Sequence, residues 1–348
     1  MKVLVLGATG MLGAYSCLAL ANRGHQVIAA SRRKTDNGFF VARGIPYLGG
    51  WELADRGTFS LLPTDIEAVV DMAGYMPAHG DASVLPYVNS IVVGMANLCE
   101  WLRTETSCRR IIFNTTPADV SGHCGGSAPI SDDAPRSYPK DGGDHAVYAI
   151  CKIAATDLLD YYKAAYSFLP CVFRHMTVFG WHPNAEYHVN GEKRISPWRH
   201  VLRQCLAARP VEIWGNPRRR SELLYVDDFT DAICRAVERT CCGIFNLPGK
   251  RPYTLEEEFQ TLMDVFSPLG ARHPKVYRPE KHVAAECLLS GAKAERELDW
   301  EATRSWKDAC LAMREEMKNN RFVPLWGAAD AAEVLPQNIA QLEKLRCP

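Results

Sequence analysis

Tyr148 and Lys152 stand four positions apart in the stretch GDHAVYAICKIAA, residues 142–154. On a helix that spacing sets both side chains on one face, one turn apart. A free phenol, with a pKa of ~10, is a poor base at neutral pH. A lysine cation beside it favours the phenolate and lowers that value. The pair could then take a proton from a hydroxyl, or return one. Phe113-Asn114-Thr115-Thr116 is a hydroxyl-rich strand end, and Thr116, with Thr115 as alternate, could orient the reacting oxygen. A tyrosine and a lysine at this spacing also occur on ordinary helices, so the rest of the chain must give the pair its meaning.

A second chemical feature opens the sequence. Val3–Leu6 reads as a buried strand and runs at once into Gly7-Ala8-Thr9-Gly10-Met11-Leu12-Gly13, a GxxGxxG spacing. Glycines there let the backbone turn tightly and approach a pyrophosphate, while the following helix offers free N–H groups and the positive end of its dipole. Gly13 would let that helix pack close to the sheet. Strand, turn and helix come in the order that dinucleotide binding requires. At the end of the second strand an acidic residue would indicate NAD. This chain has Ser31-Arg32-Arg33-Lys34 instead. Ser31 can bond a phosphate oxygen, and Arg32 can pair with a 2′-phosphate and stack on adenine. The expectation is NADP in preference to NAD.

These residues need a scaffold, and the apolar pattern supplies one. Strands are expected at Val3–Leu6, Gln26–Ala30, Ala68–Met72, Arg110–Asn114 and Cys171–Arg174. Helices are expected at Met11–Ala21, Leu85–Arg103 and Tyr148–Tyr166. Alternation of this kind implies an α/β fold, a doubly wound parallel sheet that binds ligands beyond the carboxyl ends of its strands. Residues 1–180 would form the dinucleotide-binding domain, with about 222–248 returning to it. Residues 181–318 would form a smaller α/β substrate domain, and 319–348 a C-terminal extension packed on the body or on a partner. Trp181–Ser196 is polar and aperiodic and reads as a loop. Beyond it, helices are expected at Trp198–Ala207, Val226–Glu238, Leu255–Leu269 and Ser305–Asn319, and strands at Val211–Trp214 and Ile244–Leu247.

Composition narrows the function further. The 348 residues are 47% hydrophobic and 23% charged, with zero formal net charge, which gives no basic footprint for nucleic acid. No run reaches the ~18 apolar residues of a membrane span. The opening MKVLVLGATG reads directly into a strand, so a cytoplasmic protein is expected. The 13 cysteines show no CxxC pair, so no metal site is expected. Cys17, Cys99, Cys151, Cys205, Cys234 and Cys310 lie in apolar periodic stretches and read as small hydrophobes, with disulfides disfavoured.

The order of the glycine turn, the hydroxyl-rich strand end and Tyr148-Ala149-Ile150-Cys151-Lys152 resembles the extended short-chain dehydrogenase/reductase superfamily. Within it the chain resembles the sugar-nucleotide epimerases, dehydratases and 4-keto reductases, from Met1 to about Lys318. Val69-Val70-Asp71-Met72-Ala73-Gly74, Tyr87-Val88-Asn89, Phe173 to Gly180, Tyr225-Val226-Asp227-Asp228 and Leu298-Asp299-Trp300 match further family segments. The run Tyr-Ala-Ile-x-Lys-Ile-Ala is most similar to GDP-fucose synthases. The resemblance implies a Rossmann-type sheet, catalysis by Thr116, Tyr148 and Lys152, and a cofactor held by Gly7, Thr9, Gly10, Met11, Leu12, Gly13, Ser31, Arg32, Arg33, Met72, Ala73, Gly74, Asn89, His175 and Val178. It implies a nucleotide-sugar substrate held by Thr177, His188, Arg220 and Tyr225, and a homodimer.

Several segments depart from the family pattern. Gly49-Gly50-Trp51-Glu52-Leu53 replaces a Gly-Asp-Leu near the adenine, with Glu52 standing in for the aspartate, Leu53 beside it and Trp51 available to stack. Asp119 falls where dehydratases carry a glutamate and fucose synthases a cysteine, and is a candidate second acid/base. Ala118 occupies the first place of the dehydratase Asp-Glu pair, which disfavours ordinary dehydration. The family's substrate arginine would fall at Ser221, with Arg220 one place early. His182 and His188 lie in the substrate-side loop, where fucose synthases place an acid/base histidine. The leading expectation is a sugar-nucleotide epimerase or dehydratase. A net NADPH-dependent ketone reductase and a silent dinucleotide sensor remain open beside it.

Overall fold

The computed structural model describes residues 1–77, 83–138, 144–189, 192–271, 273–281 and 284–335. Its centre is a seven-stranded sheet in the order β13-β6-β5-β4-β1-β2-β3, parallel at every pairing. The first half contributes β1 (Lys2–Leu6), α1 (Met11–Asn22), β2 (Gln26–Ser31), β3 (Tyr47–Gly49), β4 (Ala68–Asp71), α2 (Leu85–Tyr87), α3 (Gly94–Glu105), β5 (Arg110–Asn114), α4 (Asp144–Tyr166) and β6 (Leu169–His175). The short β7 (Val178–Phe179), β8 (Glu186–Val189), β9 (Glu192–Ile195), α5 (Pro197–Leu206), β10 (Val211–Trp214), β11 (Arg220–Glu222), β12 (Leu224–Tyr225) and α6 (Val226–Glu238) follow. Then come β13 (Gly243–Leu247), β14 (Pro252–Thr254), α7 (Leu255–Phe266), β15 (Lys275–Arg278), α8 (Trp306–Asn319) and α9 (Val323–Trp326).

β1 shows why the sheet is doubly covered. Val3 and Val5 pack into a core shared with Leu20 of α1 and Phe229 and Ile233 of α6. Leu4 and Leu6 point the other way, into a core shared with Leu98 and Leu102 of α3 and Leu159 of α4. Period-two alternation with an apolar residue at every step is what a strand between two helical layers requires. The strand order reverses between β1 and β4, and this is the point where such sheets open a ligand crevice.

Four expectations change. β3 pairs with β2 where no strand was predicted. The stretch read as a loop folds into an antiparallel hairpin of β8 and β9, with Glu186 opposite Ile195. The long helix expected from Leu85 is interrupted by a π-helical turn over Val88–Val93. Cys124 and Cys287 form a disulfide across 163 residues, while the six cysteines read as small hydrophobes are free and buried. The segment after Arg321 packs on the body: Phe322 and Leu325 are buried in the core that holds α1 and α6. Among the described residues, no helix is long and apolar enough to cross a membrane.

Candidate active site

The carboxyl ends of β1, β4, β5 and β6 surround a cavity of about 630 Å³. Its wall includes Asn114, Thr115, Thr116, Tyr148 and Lys152, so the structure brings the three expected catalytic side chains together. Tyr148 and Lys152 are both buried, and the ammonium lies 5.7 Å from the Tyr148 ring centroid. Lys152 donates to the Asn114 carbonyl at 2.9 Å, which fixes the amine at the end of β5. Thr116 caps the turn after β5, its hydroxyl accepting from the Ala118 N–H at 3.2 Å. Thr115 accepts from the Thr156 hydroxyl at 3.4 Å.

Electrostatics inside this cavity differ from the expectation in one respect. Burial pushes the Tyr148 phenol up, and among the described residues no neighbouring charge opposes it. Lys152 is pushed down to about 8 by burial, against the pull of Asp71. Asp71 itself is pushed up to about 6 by burial, with Lys152 and the Ala73 N–H opposing. Lysine's charge therefore does not by itself prepare a phenolate among the protein's own groups. Burial lowers the His175 pKa to about 4, which favours the neutral ring, and its Nε2 has no partner among the described residues.

The dinucleotide end is a second cavity of about 340 Å³, sharing Gly10, Met72, Ala73 and Gly74 with the first. Gly7, Thr9, Ser31, Arg32, Arg33, Glu52 and Leu53 line it. Met11, Leu12, Gly13, His175 and Val178 line the catalytic cavity. The residues fit a dinucleotide. Gly7 has φ +73°, and a Cβ there would stand 2.7 Å from the Ala73 nitrogen. A Cβ on Gly13 would run into the Gly7 carbonyl, so this glycine serves the close approach of α1 to the turn. α1 begins at Gly10 with no side chain capping its first N–H groups, which leaves them for an anion.

Other cofactor expectations need correction. Asn89 is exposed and lines neither cavity, while its neighbour Ser90 lines the dinucleotide cavity. A π-turn carries more residues per turn than an α-helix, so spacing counted on an α-helix misplaces the side chains. Arg33 donates to the Leu325 carbonyl, and Arg32 sits 3.6 Å from Glu52. Trp51 lines the dinucleotide cavity, yet it is 1% exposed and meets Phe59 edge-on, so most of its ring is packed in the core.

Beyond Met176 and Thr177, which line both, the catalytic cavity continues into one of about 880 Å³. This third cavity is walled by β9, α5, β10, the β11 region and α7. Of the substrate candidates, Thr177 alone lines it. Arg220 points away and pairs with Glu286, its Nε donating at 3.0 Å. Arg219, Ser221, Glu222 and Leu223 line the cavity, whereas Arg220 does not. Arg219 is held by the Ser221 hydroxyl at 2.9 Å and the Ala284 carbonyl at 2.7 Å. Tyr225 is buried in the core and lines none of these cavities. His188 lies on β8, and its side chain falls outside the described residues. His182 is partly buried against Trp326, with ring centroids 4.4 Å apart.

Asp119 is not an available acid. Both its oxygens bind Arg174, at 3.0 and 2.8 Å, and both side chains are nearly inaccessible. Arg174 also donates to Asn246 at 3.1 Å and to the Asp132 carbonyl at 3.2 Å, so the carboxylate belongs to a buried structural network. Two carboxyls of the substrate cavity escaped the sequence reading. Burial pushes Glu222 up to about 8 and Glu258 up to about 7. Glu222 accepts from the Leu289 N–H at 2.9 Å through one oxygen, and the other has no partner among the described residues. Glutamates in a strand and on a helix carry no sequence mark of burial. Only the odd polar residue on the apolar face of Leu255–Leu269 hinted at Glu258.

The whole chain resembles known proteins. UDP-glucose 4-epimerase of Bacillus subtilis (strain 168) is 23% identical over 89% of this chain and 95% of its own length. The structure of UDP-glucose 4-epimerase from Thermotoga maritima, solved with UDP-glucose, matches with a TM-score of 0.74 at 20% identity, covering 92% of this chain and 99% of that one. UDP-glucuronic acid 4-epimerase from Bacillus cereus, in complex with NAD, matches at 0.71 and 19% identity, covering 92% and 100%. Residues 3–247 match the model of the NAD dependent epimerase/dehydratase family, and the chain belongs to that family as an enzyme of the extended short-chain dehydrogenase/reductase type.

Proposed function

We propose that this enzyme inverts a hydroxyl-bearing carbon of a nucleotide sugar, with UDP-hexoses as the first class to try. The observation that carries the reading is the shared wall. Tyr148, Lys152 and Thr116 open onto a cavity continuous with the glycine turn on one side and with the large lined cavity on the other. A bound dinucleotide supplies the acceptor and donor for the carbon-bound hydrogen. Tyr148 would take the hydroxyl proton and return it to the same oxygen once the keto sugar has turned its other face to receive the hydrogen back on carbon. Lys152, fixed on the Asn114 carbonyl, would add its charge to that of an oxidised nicotinamide, and the two together would favour the phenolate. Thr116 orients the oxygen. Arg219 holds the diphosphate from the cavity wall.

Elimination is disfavoured by the same geometry. A dehydratase needs a further acid/base, yet Asp119 is committed to Arg174, and among the described residues none that lines the catalytic cavity is an Asp or Glu. For the cofactor we propose NADP. Ser31 stands where NAD enzymes carry an acidic residue, and Arg32 is 63% exposed at the cavity's edge. Exposed Val93, Ile150 and Tyr161 support a homodimer through α3 and α4.

The test offers purified enzyme UDP-glucose, UDP-N-acetylglucosamine and UDP-glucuronic acid with NADP or NAD, following product identity and nicotinamide absorbance. An epimerised sugar with no net absorbance change supports the reading, and tighter binding of NADP than NAD supports the preference. Stoichiometric loss of NADPH against a keto-sugar would assign a reductase instead. No turnover with intact dinucleotide binding would leave a sensor.

A further inference from the structure

The segment after α8 crosses the molecule between the two ligand ends. At its start, α9 lies on the dinucleotide loop. The Trp326 indole donates to the Thr9 carbonyl at 2.8 Å. Arg33 donates to the Leu325 carbonyl, and Asn37 to the Pro324 carbonyl at 3.0 Å. Thr9 and Arg33 both line the dinucleotide cavity. Aromatic packing holds the contact: Phe322 stacks on Trp326 at 4.3 Å and lies 5.3 Å from Phe39 and 4.7 Å from Tyr15. Seven residues past Trp326, Glu333 is buried and binds Arg199 and, at 2.8 Å, Arg203 of α5. Asp330 adds a contact to Arg203 at 3.2 Å. On α5, Pro197, Trp198, His200 and Val201 line the substrate cavity.

We propose that Phe322–Glu333 is a brace coupling dinucleotide binding to substrate binding, with Trp326 the positioning residue for Thr9. The two anchors are unlike in strength. The loop anchor is a few hydrogen bonds to backbone carbonyls over a stacked aromatic pair. The α5 anchor is a buried carboxylate between two guanidinium groups, strongly destabilised if one partner is removed. Ordering of the glycine turn by a dinucleotide is transmitted to α5 through this segment, and coupling of this kind is reciprocal. The brace rests on dinucleotide and UDP-sugar binding as read above.

Calorimetric titration of the full-length protein tests it, with NADP (or NAD, if tighter) and UDP as probes, each alone and in the presence of the other. Wild type should bind each probe more tightly when the other is present, by the same factor in both directions. Trp326→Phe keeps the stacking and removes only the indole N–H. It should weaken the dinucleotide by about fivefold, the scale of one hydrogen bond, and erase the coupling. Glu333→Gln should leave the dinucleotide alone within about twofold and also erase the coupling. Unchanged dinucleotide affinity and coupling in both variants, with only a lowered melting temperature, would make the segment purely structural and overturn the brace. Absence of coupling in wild type would overturn it too, while leaving the enzymatic reading intact. Absence of any dinucleotide binding would overturn both.

Discussion

The two ends of the active site are built from different materials. The dinucleotide end is mostly backbone and small residues, set at the ends of adjacent parallel strands: Gly7, Gly10, Ala73 and Gly74. The substrate end is mostly large side chains from short elements scattered along the chain: Trp198, Trp214, Arg219, Glu222, Glu258 and Phe259. The first gains its shape from the sheet and tolerates almost no added atoms. The second gains its shape from side chains, so it can be retuned one residue at a time without disturbing the sheet. Between them sits the small set proposed to do the chemistry, fixed by the ends of β5 and α4. A family with one cofactor chemistry and many sugars is what such a division permits.

Five substitutions would break or sharpen that contrast. The largest effect belongs to the shared wall. Tyr148→Phe should lower kcat by about a thousandfold while dinucleotide affinity stays within about threefold. Single-turnover rates and calorimetry separate the two. Next comes the backbone end. Gly7→Ala forces a Cβ onto left-handed backbone and against Ala73, and should cost roughly 2–4 kcal/mol of stability together with most dinucleotide binding. Chemical denaturation and titration would show both losses.

At the substrate end the effects should be specific to one ligand. Arg219→Ala should raise KM for the nucleotide sugar about thirtyfold and leave the dinucleotide alone. Arg220→Ala, an exposed pair with Glu286, should change either by less than about twofold. Equal effects of the two would contradict this placement, with Arg219 in the cavity wall and Arg220 outside it.

The smallest effect is on stability. Glu258 has a folded pKa of about 7, above its unfolded value of ~4.3. Between those values the folded state holds the extra proton, so wild-type stability falls as pH rises through this window and levels off above it. Glu258→Gln lacks that loss. Its melting temperature should exceed wild type by about 2–4 °C at pH 8, with the gap closing by pH ~5. A gap independent of pH would mean that the carboxyl is not neutral in the fold.

The same division decides what was legible in the sequence. The glycine turn could be read residue by residue, because a tight turn between a strand and a helix is a local requirement. Tyr148 and Lys152 could be read because helical spacing is local too. Arg220 was misread because the facing of β11 is set by its pairing with β14, which places Arg220 opposite Thr254. Asp119 was misread because its partner Arg174 lies 55 residues away. Asn89 was displaced by a π-turn that no residue type announces. The Cys124–Cys287 bridge joins segments that meet only in the finished fold.

The central claim is that one carbon loses and regains the same hydrogen under the control of Tyr148. UDP-glucose carrying deuterium on C4 tests it directly, with the product followed by mass spectrometry and nuclear magnetic resonance. The account predicts a C4-inverted product that keeps its deuterium, with no deuterium in the solvent and no net change in the dinucleotide pool. Deuterium released to water, or accumulated in free reduced dinucleotide while a keto-sugar builds up, would contradict it.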